Sequence, residues 1–498
     1  GASDVVIVKY TRNGHFMWAK SIGGTFDDFV EVIKRDNQGN MYLLGRFQST
    51  VDFDPGPAVF NQTNTGGTNT YILKLDKDGN FLWVKIFRGI SNTFDIDNNG
   101  NLLIGGYFGG TVDFDPGPGV QEMTASAGVL DMFLLKLDPA ANFIWARQIR
   151  NLTNSNHQQG GLETDASGNV FFSGNFTNSL DFDPGPATVA LTSTGAEDIF
   201  ILKLNAQGDY QWVKQIGAAG FDKAMGMDID GLGSVITTGR FYNTVDFDPG
   251  SGNFPLTAPT TAGCAFISKL DNAGNFVYAK NFQSGETDGL CLTTDAVNNV
   301  YLMGSLNGTV DFDPGPGIYN ITGPGGYTAK LDQNGTFVWA AGYLPTTSNS
   351  VGSIYASVKV DPLNNVYTAS AFIGTVDFDP GPGSFLSSSN GFWDMFTVKL
   401  GTAPCNNPST SIINAQACGS YTFNAVTYTS SGQYYQLLTN TTGCDSIVRL
   451  NLLLTNKETG ISQTSCGPLL WNGKLLTSSG VYRDTTKLPN NCDSITDV

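Results

Sequence analysis

Val51-Asp52-Phe53-Asp54-Pro55-Gly56 decides the fold, because its core, Asp-Phe-Asp-Pro-Gly, returns six times in 498 residues, beginning at Asp52, Asp113, Asp181, Asp246, Asp311 and Asp377. Successive copies are 61 to 68 residues apart, a period that marks a repeated supersecondary unit. Seven positions before each first Asp an apolar run ends in a small residue: Gly45, Gly106, Gly174, Gly239, Gly304 and, in the last copy, Ser370. An aromatic recurs in step at Trp18, Trp83, Trp145, Trp212, Tyr278 and Trp339.

Working outward, one unit divides into four strands: A over 30–35, B over 41–47, C over 71–75 and D over 81–86. The 36–40 and 76–80 turns each carry a Gly where positive φ is cheap, so A–B and C–D are tight hairpins. Turn acids such as Asp36, Asp76, Asp165, Asp271 and Asp332 read as Asx turns without further function. A four-stranded antiparallel meander cannot bury both faces alone, whereas copies set around an axis can, which is a propeller blade. C-type strands occur seven times and A, B and D six times each. The array thus begins inside a unit, and about 50 further residues bearing one D, one A and one B strand would close seven blades. A six-bladed ring with a surplus strand is the alternative. The expected fold is all-β: a seven-bladed propeller over 1–402, its first and last blades incomplete, then β modules over 403–456 and 457–498.

Composition agrees. Gly at 60 and Pro at 21 residues, with 12% aromatic and 14% charged, suit many short strands and tight turns. The net charge of −17 argues against nucleic acid and anionic membrane faces as partners. No stretch reaches the roughly 18 apolar residues of a membrane-spanning helix. The first residues lack the features of a signal peptide, so an export signal is expected outside this chain.

In an extended segment alternate residues share a face, so the two acids of each repeat point one way: Asp52 with Asp54, Asp113 with Asp115, Asp181 with Asp183, Asp246 with Asp248, Asp311 with Asp313, and Asp377 with Asp379. Two carboxylates beside a Pro-Gly turn suit Ca²⁺, with carbonyls and water completing the shell. The same chemistry also suits plain turn capping, in which each Asp accepts backbone N–H bonds. Both readings follow from the residues.

Cys264 and Cys291 lie in apolar runs and read as core. The other five cysteines crowd into the last hundred residues, which points to an oxidising compartment. Aligning Cys418 with Cys466 also aligns Gly432 with Gly480, Tyr434 with Tyr482 and Cys444-Asp445-Ser446 with Cys492-Asp493-Ser494, always 48 residues apart. Such small units gain about 3 kcal/mol from a bridge closing each loop. Cys418–Cys444 and Cys466–Cys492 are the favoured pairs, pairing across units is the alternative, and Cys405 is left over.

Runs such as Asp198-Ile199-Phe200-Ile201-Leu202-Lys203-Leu204 and Val245-Asp246-Phe247-Asp248-Pro249-Gly250 resemble the bacterial β-propeller repeats of the SBBP-like kind, found in exported proteins of the Bacteroidetes. The C-terminal units resemble the tandem Cys-Asp-Ser repeats of large surface proteins in that phylum, where a type IX sorting domain usually follows. Leu469 departs from the pattern where the first unit has Tyr421. The resemblance implies an extracellular or outer-surface location, and partners among surface or secretion-system proteins or glycans. It also implies a low-specificity O-glycosylation pattern at Ser446 and Ser494.

For activity, His15 and His157 are the only imidazoles and no Gly-x-Ser-x-Gly occurs. The repeated acids are even from unit to unit, whereas catalysis needs one unit to differ; Glu163 and Glu286 remain as acids outside the pattern. The periodic aromatics read as inter-blade core. The expected function is a non-catalytic structural or adhesive surface protein, with a propeller head or spacer on a disulfide-stabilised stalk. A glycan-binding propeller or a polysaccharide-degrading enzyme is the alternative.

Overall fold

The computed structural model describes residues 3–12, 14–64, 69–346, 356–381, 383–401, 409–424, 426–439, 445–454, 457–487 and 493–497. They form strands and turns without a helix, so no helix among them is long and apolar enough to cross a membrane. The chain divides into two compact units, Gly1–Gly401 and Thr402–Val498.

The first unit contains seven successive blades. Blade 1 has C and D strands, Val5–Tyr10 and Phe16–Gly24. Blades 2 to 6 are complete. Blade 2 runs Phe29–Arg35, Met41–Phe47, Asn69–Leu75 and Phe81–Arg88, and blade 3 runs Ile90–Ile96, Leu102–Phe108, Asp131–Leu137 and Phe143–Asn151. Blade 4 comprises His157–Thr164, Val170–Phe176, Asp198–Leu204 and Tyr210–Ile216; blade 5 comprises Lys223–Ile229, Val235–Phe241, Cys264–Leu270 and Phe276–Asn281. Blade 6 is built from Glu286–Thr294, Val300–Asp311, Asn320–Leu331 and Phe337–Pro345, and blade 7 from the A, B and C strands Ser357–Val360, Val366–Phe372 and Asp394–Leu400. All neighbouring strands within a blade are antiparallel, in the order A-B-C-D.

Two ion pairs establish that the blades surround an axis. Lys34 on strand A of blade 2 reaches Glu163 on strand A of blade 4 at 2.9 Å, across the intervening blade. In a linear stack sheets lie about 10 Å apart, which would leave these two roughly 20 Å from each other. Arg12 in the C–D turn of blade 1 meets Asp361 in the A–B turn of blade 7 at 3.6 Å. The same contact joins consecutive blades elsewhere, as where Asn272 Nδ2 in the C–D turn of blade 5 donates to Asp165 of blade 4 at 3.3 Å.

The segment quoted at the outset forms a feature that strand patterning alone does not reveal. It closes a short hairpin, Thr111–Asp113 with Glu122–Thr124 in blade 3, inserted between strands B and C. In several copies this hairpin pairs with strand D of the preceding blade, as Arg150 with Asp181 and Leu344 with Asp377. Its Phe is a plug. Phe114 is fully buried, 5.1 Å from Phe108 and 4.6 Å from Phe133 between ring centroids. Equivalent clusters centre on Phe53, Phe182, Phe247, Phe312 and Phe378.

The recurrent Trp grips the blade ahead. Trp145 Nε1 donates to Ala206 O and Trp212 Nε1 to Asn272 O, both at 3.2 Å, so each ring covers the next C–D turn. Gly208, with φ +80°, lies against Arg147 and Trp145, where the turn demands a left-handed residue and a side chain would meet Arg147 Nε at 2.8 Å and the ring at 3.2 Å.

In the second unit Ser409–Ala417 pairs in parallel with Asp445–Leu454, which also pairs antiparallel with Gly432–Thr439. Lys457–Gly460, Asp493–Asp497 and Arg483–Lys487 repeat this topology at the expected offset, Ser409↔Ser446 corresponding to Lys457↔Ser494. Cys418 is disulfide-bonded. Cys405, Cys444 and Cys492 lie outside the described residues. Cys466 departs from the expected bridge to Cys492: its thiol is free and exposed. It lies in 461–468, where no strand pairing fixes the Cα and Cβ approach that a disulfide requires. Ser446 and Ser494 fall within paired strands.

Candidate functional site

The twelve repeated acids each engage their own loop, and Asp181 in addition meets Arg150 of the preceding blade at 3.7 Å. Asp113 Oδ1 accepts the Asp115 and Gln121 amides at 3.0 and 2.7 Å, and Asp115 Oδ1 accepts the Gly117 amide at 2.7 Å. The other copies repeat this: Asp52 with Asp54, Asp181 with Asp183, Asp246 with Asp248, Asp311 with Asp313, and Asp377 with Asp379. One oxygen of each acid is thus engaged by the loop's own amides. Among the described residues no three His, Cys, Asp or Glu side chains gather as a metal cluster. A Ca²⁺ would have to draw most of its six to eight oxygens from carbonyls and water, so the geometry fits turn capping better than a metal shell.

The A–B turn acids do more than the Asx turns expected of them. Lys136 on strand C meets Asp97 at 2.9 Å and Lys269 meets Asp230 at 2.7 Å, all four side chains nearly inaccessible. Burial works against the Asp97 charge, but hydrogen bonds from Asn101 and Lys136 outweigh it and hold the carboxyl below its usual range.

The asymmetry that function requires lies on the A strands. Their penultimate or near-terminal residues are Lys34, Asp95, Glu163, Asp228, Thr293 and Lys359, one from each of blades 2 to 7. Lys34 bridges Asp95 at 3.0 Å and Glu163 at 2.9 Å. Asp95 Oδ2 also accepts the Thr164 amide and hydroxyl, while Asp228 accepts the Thr294 amide and hydroxyl, tying neighbouring A strands together. Burial pushes the Glu163 carboxyl up to about 8, with the Asp95 charge adding to the rise and Lys34 opposing it. Glu286, the other acid outside the repeat, pairs with Arg240, which also meets Asp288 at 2.8 Å.

The opposite end of the A strands opens into a cavity of about 1110 Å³ spanning blades 3 to 6. Strand A of these blades carries a bulge, at Asn92, Gly160, Met225 and Leu290, each opposite the small residue that ends the apolar run of strand B. At Gly239 a side chain would collide with the Lys223 carbonyl, which is why the small residue recurs. Bulges re-aim side chains, and here Asn92, Met225 and Leu290 line the cavity. Strand B contributes Tyr107 and Asn175. In blade 5 the same strand-B position is Arg240, bound to Glu286 and Asp288.

The wall between blades 3 and 4 is held by Asn151, which donates to Ser155 O at 2.8 Å and accepts the Ser155 amide at 2.7 Å. The His157 ring stands edge-on to Tyr107, centroids 6.1 Å apart. Burial lowers the His157 pKa, with the Ser155 backbone and Asp131 opposing, so the imidazole is neutral at pH 7. His157 Nδ1 and both amide atoms of Gln159 are buried without a hydrogen-bond partner, a cost of about 1–3 kcal/mol for each such group. Glu197 accepts from Lys223 at 3.1 Å and from Asn175 at 2.8 Å.

No protein-family model matches the chain. An uncharacterized WD repeat-containing protein of Acanthamoeba polyphaga mimivirus is 24% identical over 464 residues, covering 78% of this chain and 32% of the relative, so the chain spans about a third of that protein's length. WD repeats are propeller-type units, in keeping with the observed blades. Among solved structures, a protein of unknown function from Bacteroides caccae is 11% identical with a TM-score of 0.33, covering 68% of this chain and 94% of that one. The extracellular domain of a hybrid two component system from B. thetaiotaomicron is also 11% identical, with a TM-score of 0.14 and coverage of 85% and 72%.

Proposed function

We propose that this chain is a non-catalytic recognition and structural protein of the cell exterior, its propeller a rigid head that displays the mouth of the ring and its two C-terminal modules a spacer, the first of them stabilised by the disulfide at Cys418. The observation that carries this reading is the disposition of the carboxylates. Glycoside hydrolysis needs two of them flanking a bound substrate. The cavity lining offers Glu197, which is occupied by Lys223 and Asn175. Glu163 and Asp95, the pair with a perturbed acid, share Lys34 at the other end of the strands; Glu163 lies four residues from Gln159, about 13 Å along the chain. The disulfide at Cys418 supports an oxidising compartment.

A hydrolysis screen over neutral and acidic polysaccharides tests the reading. The expected result is no product from the native protein. Turnover that Glu197→Gln or Glu163→Gln abolishes would replace it with the enzymatic alternative.

A further inference from the structure

The cavity at the mouth of blades 3 to 6 has a chemistry that the repeat does not require. We infer that it is a binding site for a neutral oligosaccharide, an inference that extends the non-catalytic reading above by naming what the head recognises. Where blade 5 places Arg240 at the end of strand B, the guanidinium ties down two acids of blade 6. Blades 3 and 4 put Tyr107 and Asn175 there instead, and the cavity lies against these two blades.

The lining selects the ligand class. Among the described residues its one carboxylate and one ammonium, Glu197 and Lys223, neutralise each other at 3.1 Å, so an anion meets no uncommitted cation and a cation no uncommitted acid among them. The exposed polar side chains of the lining, beside the exposed Leu130, are the amides of Asn92, Asn154, Asn156 and Gln158. Each amide carries a donor and an acceptor, the combination that matches hydroxyl groups, which do both. Tyr107, steadied by His157, supplies a ring of the kind on which a sugar's apolar face rests. A volume of about 1110 Å³ lies just above the range of about 300–1,000 Å³ usual for small-molecule sites, room for several sugar rings. The Asn151 bonds to Ser155 form the wall before any ligand arrives, which limits the entropy lost on binding.

Titration calorimetry on the full chain tests this with cellotetraose, maltotetraose, mannotetraose and xylotetraose, with tetragalacturonate and a decapeptide library as charged and peptide comparators. At least one neutral tetrasaccharide should bind, and Tyr107→Ala should weaken it at least tenfold. Gln158→Ala, at an exposed position, serves as a second variant that keeps its fold and should weaken binding measurably. No binding by any neutral sugar, preference for tetragalacturonate or peptide, or affinity untouched by both variants would each overturn the inference and leave the non-catalytic reading standing. Shortening of a bound sugar, read by chromatography of the recovered ligand, would refute the non-catalytic reading while leaving the site in place.

Discussion

Replacing Glu163 by Gln should flatten the dependence of propeller stability on pH. The folded chain raises this carboxyl from 4.5 to about 8, chiefly by burial. An acid whose pKa is higher folded than unfolded keeps a proton that the unfolded chain has already released. Its contribution is therefore full below about pH 4.5 and is lost as pH rises toward 8. At about 1.4 kcal/mol for each tenfold change in proton binding, the interval from 4.5 to about 8 sets a ceiling of roughly 5 kcal/mol. The Lys34 contact at 2.9 Å is already contained in that rise, but relaxation and water around a side chain that stays 20% accessible reduce the ceiling, and roughly half of it, about 2–3 kcal/mol, is the working figure. For a unit of about 400 residues melting as one body, with about 0.8 kcal/mol per kelvin of unfolding entropy, this reads as roughly 3 °C. The substituted side chain would keep an amide oxygen for Lys34 and lose the titration. Asp222, raised to about 6 by burial, acts in the same direction, and His157, whose pKa is lowered, acts in the opposite one. The difference between variant and native melting temperatures from pH 5 to 9, at constant ionic strength, isolates Glu163. Parallel curves across that range would refute the reasoning.

The capping role of the repeated acids predicts that Asp113→Ala, which strands the Asp115 and Gln121 amides, lowers stability by about 1–3 kcal/mol in urea unfolding. EDTA should leave the native melting temperature unchanged, and a clear fall would put calcium in these loops. Phe114→Ala, which empties a fully buried aromatic site, should cost about 3–5 kcal/mol, and a loss under about 1 would contradict the plug. Maleimide should label Cys466 on the native protein, whereas Cys264, buried with its thiol pushed up to about 11, should react only after unfolding; rapid native labelling of Cys264 would be incompatible with the core described.

The blades were legible because period-two alternation and Gly-bearing turns repeat six times, and the observed strand A of blade 2, Phe29–Arg35, differs from its expected span by one residue. The seven C strands against six of each other type are likewise in place. The hairpin that docks on the preceding blade was hidden, since three-residue strands such as Thr111–Asp113 carry almost no pattern. The mouth was hidden for another reason. Aligning repeats draws the eye to what recurs, yet Asn92, Met225 and Leu290 form the cavity because they differ at one bulged position. The signal was available: a Gly closing five of the six apolar runs marks close backbone approach, hence a bulge, and the residue facing it is the one to compare between copies. The Lys34–Asp95–Glu163 cluster needed the ring itself, because it joins blades that are not neighbours in the chain.

Because the hairpin reaches back one blade while the tryptophan reaches forward one, the segment that repeats in the chain is out of phase with the sheet it helps to build. A load drawn along the backbone would meet two fasteners at a joint such as that between blades 3 and 4, and neither lets go until its own blade begins to open. Such an array should resist extension in discrete steps of about one repeat, each releasing some 65 residues. Lengthening or shortening it by recombination would preserve every joint only when the cut falls at the same place in both copies.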